Sequence, residues 1–216
     1  ERIQYWNDNP HEPPQMALIN GAITKHGEAY FKRALGSYLN ALRSADPQLI
    51  ENELAALQQE LENEAKTTRK MLSIVPADQL DWQPHPKSMT LRSLSIHVAE
   101  LPTWVRMILE TDELDFEKNP YTLPKINTAE ELVEFFEKNL IDCRDALATA
   151  DESTFDKSWT LRAGETIYSS DPKVDVIRMT FSQIIHHRAQ LGVFLRLLNI
   201  PIPGSYGPSA DDMSFA

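Results

Sequence analysis

Apolar residues recur at alternating steps of three and four along four segments of the chain, which is the spacing of an α-helix with one buried face. The first segment begins at Asp46-Pro47, where aspartate suits the N-cap and proline suits the first helical position. It ends at Pro76, because proline cannot continue a helix. Its apolar stripe consists of Ile50, Leu54, Leu57, Leu61, Ala65, Thr68, Leu72 and Val75.

The second and third segments begin at side chains that can cap a helix. Ser88 or Thr90 can start a helix that runs to about Glu110. Thr128 can start the next one, because the two glutamates that follow favour the positive end of a helix dipole. The inward faces are Leu91, Leu94, His97, Leu101, Trp104 and Ile108 in the second helix, and Leu132, Phe135, Phe136, Leu140, Cys143 and Leu147 in the third.

The fourth segment repeats the cap-plus-proline start at Asp171-Pro172 and runs to about Asn199. Its inward stripe consists of Ile177, Phe181, Ile184, His187 or Arg188, Leu191, Leu195 and Leu198. Between the third and fourth segments, residues 155–170 alternate between apolar and polar, which predicts a short hairpin or an irregular lid.

These segments predict an all-α protein whose main domain, residues 46–216, is a four-helix bundle. A weaker helical pattern, interrupted by three glycines, predicts an additional N-terminal helical segment over residues 16–45. Residues 1–15 are expected to be extended. The additional helix is expected either to cover the bundle or to contact a second subunit.

Composition and charge exclude several classes of protein. A net charge of −11 disfavours nucleic acid as a partner, because binding a phosphate backbone requires clustered Lys and Arg. No run of about 18 apolar residues occurs and the first residues do not resemble a signal peptide, so we expect no membrane association and a cytoplasmic location. The single cysteine, Cys143, excludes an internal disulfide and is expected to pack in the core.

Two histidines lie on the inward stripes of different helices. His97 follows Leu94 by three residues, and His187 follows Ile184 by three. Imidazole nitrogens are good ligands for divalent transition metals, and a bundle interior holds them rigidly. The pattern thus allows a metal site between two helices, although a lone inward histidine is more often a hydrogen-bonded core residue than a ligand.

The residues near His187 on its helix limit which side chains can serve as further metal ligands. His186 points about 100° away from His187 on a helix, so both cannot face one centre, and His186 is expected beside the metal or as an alternate ligand. A further ligand would stand one turn earlier, where residues i and i+4 can share a metal, and that residue is Gln183. Its amide oxygen is a weak, neutral ligand.

Several stretches resemble the DinB family of metal-dependent enzymes. They are HVAELPTWVRMILETDELDF and IIHHRAQLGVFLRLLNIPIPGSYGPSADD, together with MLSIVPADQLDWQPHPKSMTL and DESTFDKSWTLRAGETIYSSDP. The resemblance covers about residues 48 to 212, with its elements in order. It implies an up-down-down-up four-helix bundle, often a homodimer, in which three histidines hold a divalent metal with an open coordination position.

The family's ligand positions match His97, Gln183 and His187, so glutamine replaces the middle histidine. His186 matches an additional histidine that often precedes the last ligand, and Arg188 with Gln190 matches the family's Arg-x-Gln. The resemblance implies Zn, Ni, Mn or Fe as the metal, bound weakly or not at all because of the glutamine. Characterised relatives include S-transferases and isomerases that use a low-molecular-weight thiol and a small-molecule substrate.

The sequence is compatible with two functions. One is a metal-dependent thiol S-transferase or hydrolase with a degenerate site, and the other is a non-catalytic bundle that binds a ligand or a protein. Arg188 is expected to form a structural ion pair with Glu64 or Glu100, and the segment around Tyr206 is expected to cap the bundle or to act as a lid. Candidate pocket residues are Glu64, Thr68, Glu100, Trp104, Arg188 and Tyr206.

Overall fold

The computed structural model describes residues 47–213, with side chains from Glu53 onward. Backbone contacts divide the chain into two units, one that ends at Glu53 and one that begins at Leu54. The predicted extended segment 1–15 and helical segment 16–45 lie outside the described residues, and the proposed domain boundaries stay predictions.

Within the described range, the chain forms five α-helices, two 3₁₀ turns and a small sheet. The helices are α1 (Pro47–Leu72), α2 (Leu91–Glu100), α3 (Thr103–Glu110), α4 (Ala129–Ala148) and α5 (Lys173–Leu197). The strands are β1 (Glu113–Asp115), β2 (Ser158–Ala163) and β3 (Thr166–Pro172), and the 3₁₀ turns are Ala77–Gln79 and Glu152–Thr154. None of the described helices is long and apolar enough to cross a membrane.

Ion pairs show how α1 and α4 run relative to each other. Arg69 pairs with Glu137, and Glu62 pairs with Arg144, so later residues of α1 oppose earlier residues of α4. The two helices are therefore antiparallel.

The remaining helix directions follow from contacts of α2 and α3. Asn139 of α4 donates to the Ala99 carbonyl at 3.0 Å, and Arg106 of α3 pairs with Asp142 at 2.6 Å, so α2 and α3 run parallel to α4. Lys173 Nζ, at the start of α5, donates to the carbonyl of Leu109 near the end of α3. Helix α5 therefore runs back along α2 and α3, and the order is up-down-down-up.

The predicted second helix is in fact two helices, because Pro102 interrupts it. Proline has no N–H to donate to the preceding turn and its ring crowds that turn, so α2 ends at Glu100 and α3 begins at Thr103. Thr90 caps α2 as expected, its side chain accepting from Ser93 N at 3.1 Å. The Thr103 hydroxyl donates to the Glu100 carbonyl at 2.8 Å and so gives the last carbonyl of α2 a hydrogen-bond partner.

The all-α prediction is wrong, because a three-stranded mixed sheet closes the end of the bundle where α3 ends and α5 begins. Strand β1 pairs with β2 in parallel, and β2 pairs with β3 as an antiparallel hairpin, the first of the two predicted alternatives for this segment. Asp171 lies in β3 and does not cap α5 with its side chain, contrary to its predicted role.

Trp159 of β2 joins the sheet to the bundle core. It is fully buried, and its Nε1–H donates to the Thr111 hydroxyl at 3.0 Å, just after α3. Cys143 is also fully buried, and burial raises the pKa of its thiol to about 12, so it packs in the core as predicted and is not a nucleophile.

The carboxylate of Asp115 holds the hairpin turn against the end of β1. Asp115 is buried, and its Oδ1 accepts from the backbone N–H groups of Gly164 at 3.0 Å and Glu117 at 3.1 Å. The Gly164 bond is the main reason that the pKa of Asp115 lies below its usual value. Gly164 has a φ of 55°, a left-handed conformation that glycine adopts without strain, so this turn favours glycine.

We expect Asp115→Ala to lower the urea midpoint of unfolding at pH 7 more than Asp115→Asn, because asparagine keeps an acceptor for both N–H groups. A carboxyl whose folded pKa is lowered stabilises the fold above its unfolded pKa, and this stabilisation is lost as the pH falls through the folded pKa. The advantage of the wild type over Asp115→Asn should therefore shrink in acid. Equal midpoints for the wild type and Asp115→Ala at pH 7 would contradict this role.

Candidate metal centre

His97 and His187 meet in the seam between α2 and α5. Their ring centroids are 4.7 Å apart and the ring planes lie at 75°. Both residues are half-buried, with the side chain of His97 26% exposed. The two inward histidines that the helical stripes predict are therefore neighbours that solvent can reach.

One ring nitrogen of His97 forms a hydrogen bond with a carboxylate. His97 Nδ1 lies 2.8 Å from Glu100 Oε1, and because a carboxylate only accepts, the proton sits on Nδ1. Tyr121 donates its hydroxyl to the other oxygen, Oε2, at 2.8 Å. Partial burial and the nearby carboxylate raise the pKa of Tyr121, so its phenol keeps the proton that it donates.

His187 is oriented in the same way by Gln190. Its Nδ1–H donates to Gln190 Oε1 at 3.0 Å, and the amide nitrogen of Gln190 donates to His186 Nε2 at 3.0 Å. Burial lowers the pKa of His187 against the opposing effect of the Gln190 bond, and the neighbouring rings of His97 and His186 lower it further. The His187 ring is therefore neutral at neutral pH.

These bonds leave the Nε2 atoms of His97 and His187 as lone-pair donors. Neither Nε2 has a hydrogen-bond partner in the described part of the chain. A metal-binding histidine normally donates its other ring N–H to a carboxylate or carbonyl oxygen, which fixes both tautomer and orientation. Glu100 and Gln190 supply such acceptors.

Gln183 lies one turn before His187 on the same side of α5 and is half-buried. Between residues 47 and 213, no group of three or more His, Cys, Asp or Glu side chains is arranged to hold a metal ion. The candidate ligands are therefore the two imidazoles and, from its position on α5, the neutral amide of Gln183. Two imidazoles suit a divalent transition metal, with lower affinity than three imidazoles would give.

Four candidate pocket residues form a separate cluster where α1, α5 and the C-terminal segment meet; Glu64, Thr68 and Arg188 are buried, whereas Tyr206 is 69% exposed. Arg188, only 2% exposed, pairs with Glu64 Oε2 at 2.7 Å and donates to Thr68 Oγ1 at 3.0 Å. Tyr206 donates its hydroxyl to the same Glu64 oxygen at 2.8 Å and accepts from Arg188 at 3.1 Å. Of the two carboxylates expected to pair with Arg188, Glu64 is the one that does so.

The other candidates are divided between the histidine pair and the core. Glu100 belongs to the histidine pair, whereas Trp104 is partly buried against the hydrophobic core. Sequence reasoning missed Tyr121, which lies in the linker between β1 and α4 and follows no helical period. The spacing of Gln190, three residues after His187, was a usable signal for the hydrogen bond that it makes.

The fold and the paired histidines define a histidine-bearing four-helix bundle with a small sheet at one end. The model of the DinB family matches residues 50–214, and the chain belongs to the DinB family. No curated protein matches the chain.

Solved structures of DinB-like proteins share this fold. One from Bacillus subtilis superposes with a TM-score of 0.54 at 14% identity, covering 69% of this chain and 96% of that one. A member from Exiguobacterium sibiricum gives 0.54 at 21% identity over 70% and 95%, and one from Bacillus cereus gives 0.52 at 20% over 69% and 95%. At these identities the likeness concerns the fold alone.

We expect Glu64→Gln to destabilise the protein by about 3–5 kcal/mol, because it leaves the buried Arg188 guanidinium without a countercharge. Urea unfolding would measure the loss. The double variant Glu64→Leu/Arg188→Leu is the matched control, since it removes both charges and should lose less than Glu64→Gln. A loss below about 1 kcal/mol in Glu64→Gln would mean that the ion pair does not hold α5 against α1.

Proposed function

We propose that the chain is a metal-dependent enzyme in which Nε2 of His97 and Nε2 of His187 bind a divalent metal, with Gln183 at the third position. The observation that carries this proposal is the tautomer that the hydrogen bonds impose on both rings. Each histidine places its proton on Nδ1 towards a protein acceptor, and each keeps its Nε2 lone pair for a metal.

A divalent metal bound here would polarise a thiol or a water molecule and lower its pKa. The chain's own residues prepare the site for this. Glu100 and Gln190 hold the two Nδ1 protons and thereby the planes of the rings, while Tyr121 restrains the Glu100 carboxylate. The partial burial of His187 keeps its ring neutral, which is the state that binds metal.

The reaction that we propose is S-transfer with a low-molecular-weight thiol, or hydrolysis, on a small-molecule substrate in the cytoplasm. Its support is the family resemblance and a seam that solvent can enter. A homodimer is proposed on the same resemblance. The net charge of −11 supports a small molecule over nucleic acid as the partner.

A second candidate function is a metal-free bundle that binds a ligand or a protein. The observation that favours it is the amide of Gln190, which joins His187 and His186 into a hydrogen-bonded chain without any metal. Such a network satisfies Nδ1 of His187 and Nε2 of His186, and Gln183 lies one turn before His187 on the same helix.

Titration of the full-length protein, purified without a histidine tag, with Zn²⁺, Ni²⁺, Mn²⁺ and Fe²⁺ in a calorimeter tests the first proposal. We expect one site per chain, lost in His97→Ala. Gln183→His should bind more tightly, because it replaces a neutral amide with an imidazole. Glu100→Gln should weaken binding by about 10–100-fold, as is typical when the acceptor behind a metal-binding histidine is changed.

His85→Ala is the matched control, since His85 is exposed in the connector between α1 and α2 and should leave binding unchanged. No binding by the native protein, together with tight binding by Gln183→His, would overturn the metal proposal and favour the metal-free bundle. A separate assay with candidate thiols measures S-transferase activity. It distinguishes a failure to turn over a substrate from a failure to bind the metal.

A further inference from the structure

A cavity of about 400 Å³ lies on the flank of α5 that faces away from the histidines. It is bounded by the end of α1, by α5 and by the C-terminal segment that follows α5. Gln183 on the histidine side and Gly192 in the cavity are nine residues apart, which places them on opposite sides of a helix that turns about 100° per residue. The cavity and the candidate metal centre are therefore separate.

Gly192 is the most informative residue of the cavity. Glycine in the middle of a helix is destabilising, and Gly192 does not have a positive φ. A Cβ at this position would lie 3.5 Å from Met71 Cε and 3.9 Å from Ile202 Cδ1, which are ordinary packing distances. Neither backbone conformation nor packing requires a glycine here, and the absence of a methyl group leaves room in the cavity beside Met71 and Ile202.

The walls of the cavity indicate the chemistry of its ligand. Ile185, Val193, Leu197 and Ile202 supply apolar surface, and Val193 and Leu197 remain 59% and 57% exposed. Ile185, Val193 and Leu197 lie on one side of α5, and the C-terminal segment leaves Val193 and Leu197 uncovered. A ligand with an apolar body would bury them.

The two cations of the cavity are already neutralised within the chain. Arg188 pairs with Glu64 at 2.7 Å, and Arg196 pairs with Asp211. Tyr206, which also lines the cavity, directs its hydroxyl to the Glu64 carboxylate. Because both guanidinium charges are already balanced by carboxylates, the cavity suits an uncharged molecule.

We propose that this cavity is a binding site for a small, uncharged, largely apolar molecule, about the size of a two-ring aromatic compound. Its volume lies within the range of about 300–1,000 Å³ that is typical of small-molecule sites. The proposal is independent of metal binding at His97 and His187.

Titration with N-phenyl-1-naphthylamine, an uncharged apolar dye whose fluorescence rises in apolar surroundings, tests the proposal on the full chain. We expect saturable binding of one dye per chain. Gly192→Ala should weaken it severalfold by placing a methyl group in the cavity, while Tm rises by about 2–4 °C because alanine is the better helix former. Gly192→Ser, which also adds a Cβ, should likewise weaken dye binding.

Two controls separate the cavity from other apolar surface and from the metal centre. Ile141→Ala removes a 54% exposed apolar side chain on α4 and should leave dye binding unchanged. His97→Ala should do the same, and Gly192→Ala should bind metal as the wild type does. Unsaturable dye binding, equal affinity in Gly192→Ala, or an equal loss in Ile141→Ala or His97→Ala would overturn the proposal.

Discussion

The ion pair between Arg188 and Glu64 fixes the rotation of α5 about its own axis, and most functional features of the protein depend on that rotation. With Arg188 directed at α1, His187 points about 100° away, towards His97 on α2. Gly192, one turn later on the α1 side, opens into the cavity. A buried pair is costly to desolvate, so its value here lies in specifying one orientation of the helix more than in adding stability.

Much of this arrangement follows from local sequence. The three-four spacing predicted α1, α4 and α5, and it placed His97 and His187 on inward faces that do meet. It failed at Pro102, because Leu101, Trp104 and Ile108 continue the helical spacing across the proline and hide the break. Strand β1 was missed for another reason: its three residues are too few to show an alternation, and only pairing with β2 defines them as a strand.

In the candidate site, too, some contacts follow from local sequence and others depend on residues distant along the chain. Residue spacing on one helix is enough to pair Gln190 with His187, three residues before it. The contact of Tyr121 with Glu100 depends instead on the path of a linker that has no period, and no local rule predicts it. The family match adds the fold, whereas the proposal for the seam rests on the side chains of this chain, including Gln183.

The turn around Asp115 ties the sheet to the histidine pair through the covalent chain. Its carbonyl accepts from the N–H groups of Lys118 at 3.1 Å and Asn119 at 3.0 Å, so the linker leaves β1 in a fixed direction, and Tyr121 follows almost at once. Few unrestrained residues therefore separate this turn from Tyr121. The loss of conformational entropy when the phenol binds Glu100 is correspondingly small. The sheet thus anchors a side chain that no helix carries and that restrains Glu100, so loss of the sheet would leave the His97 ring less firmly oriented.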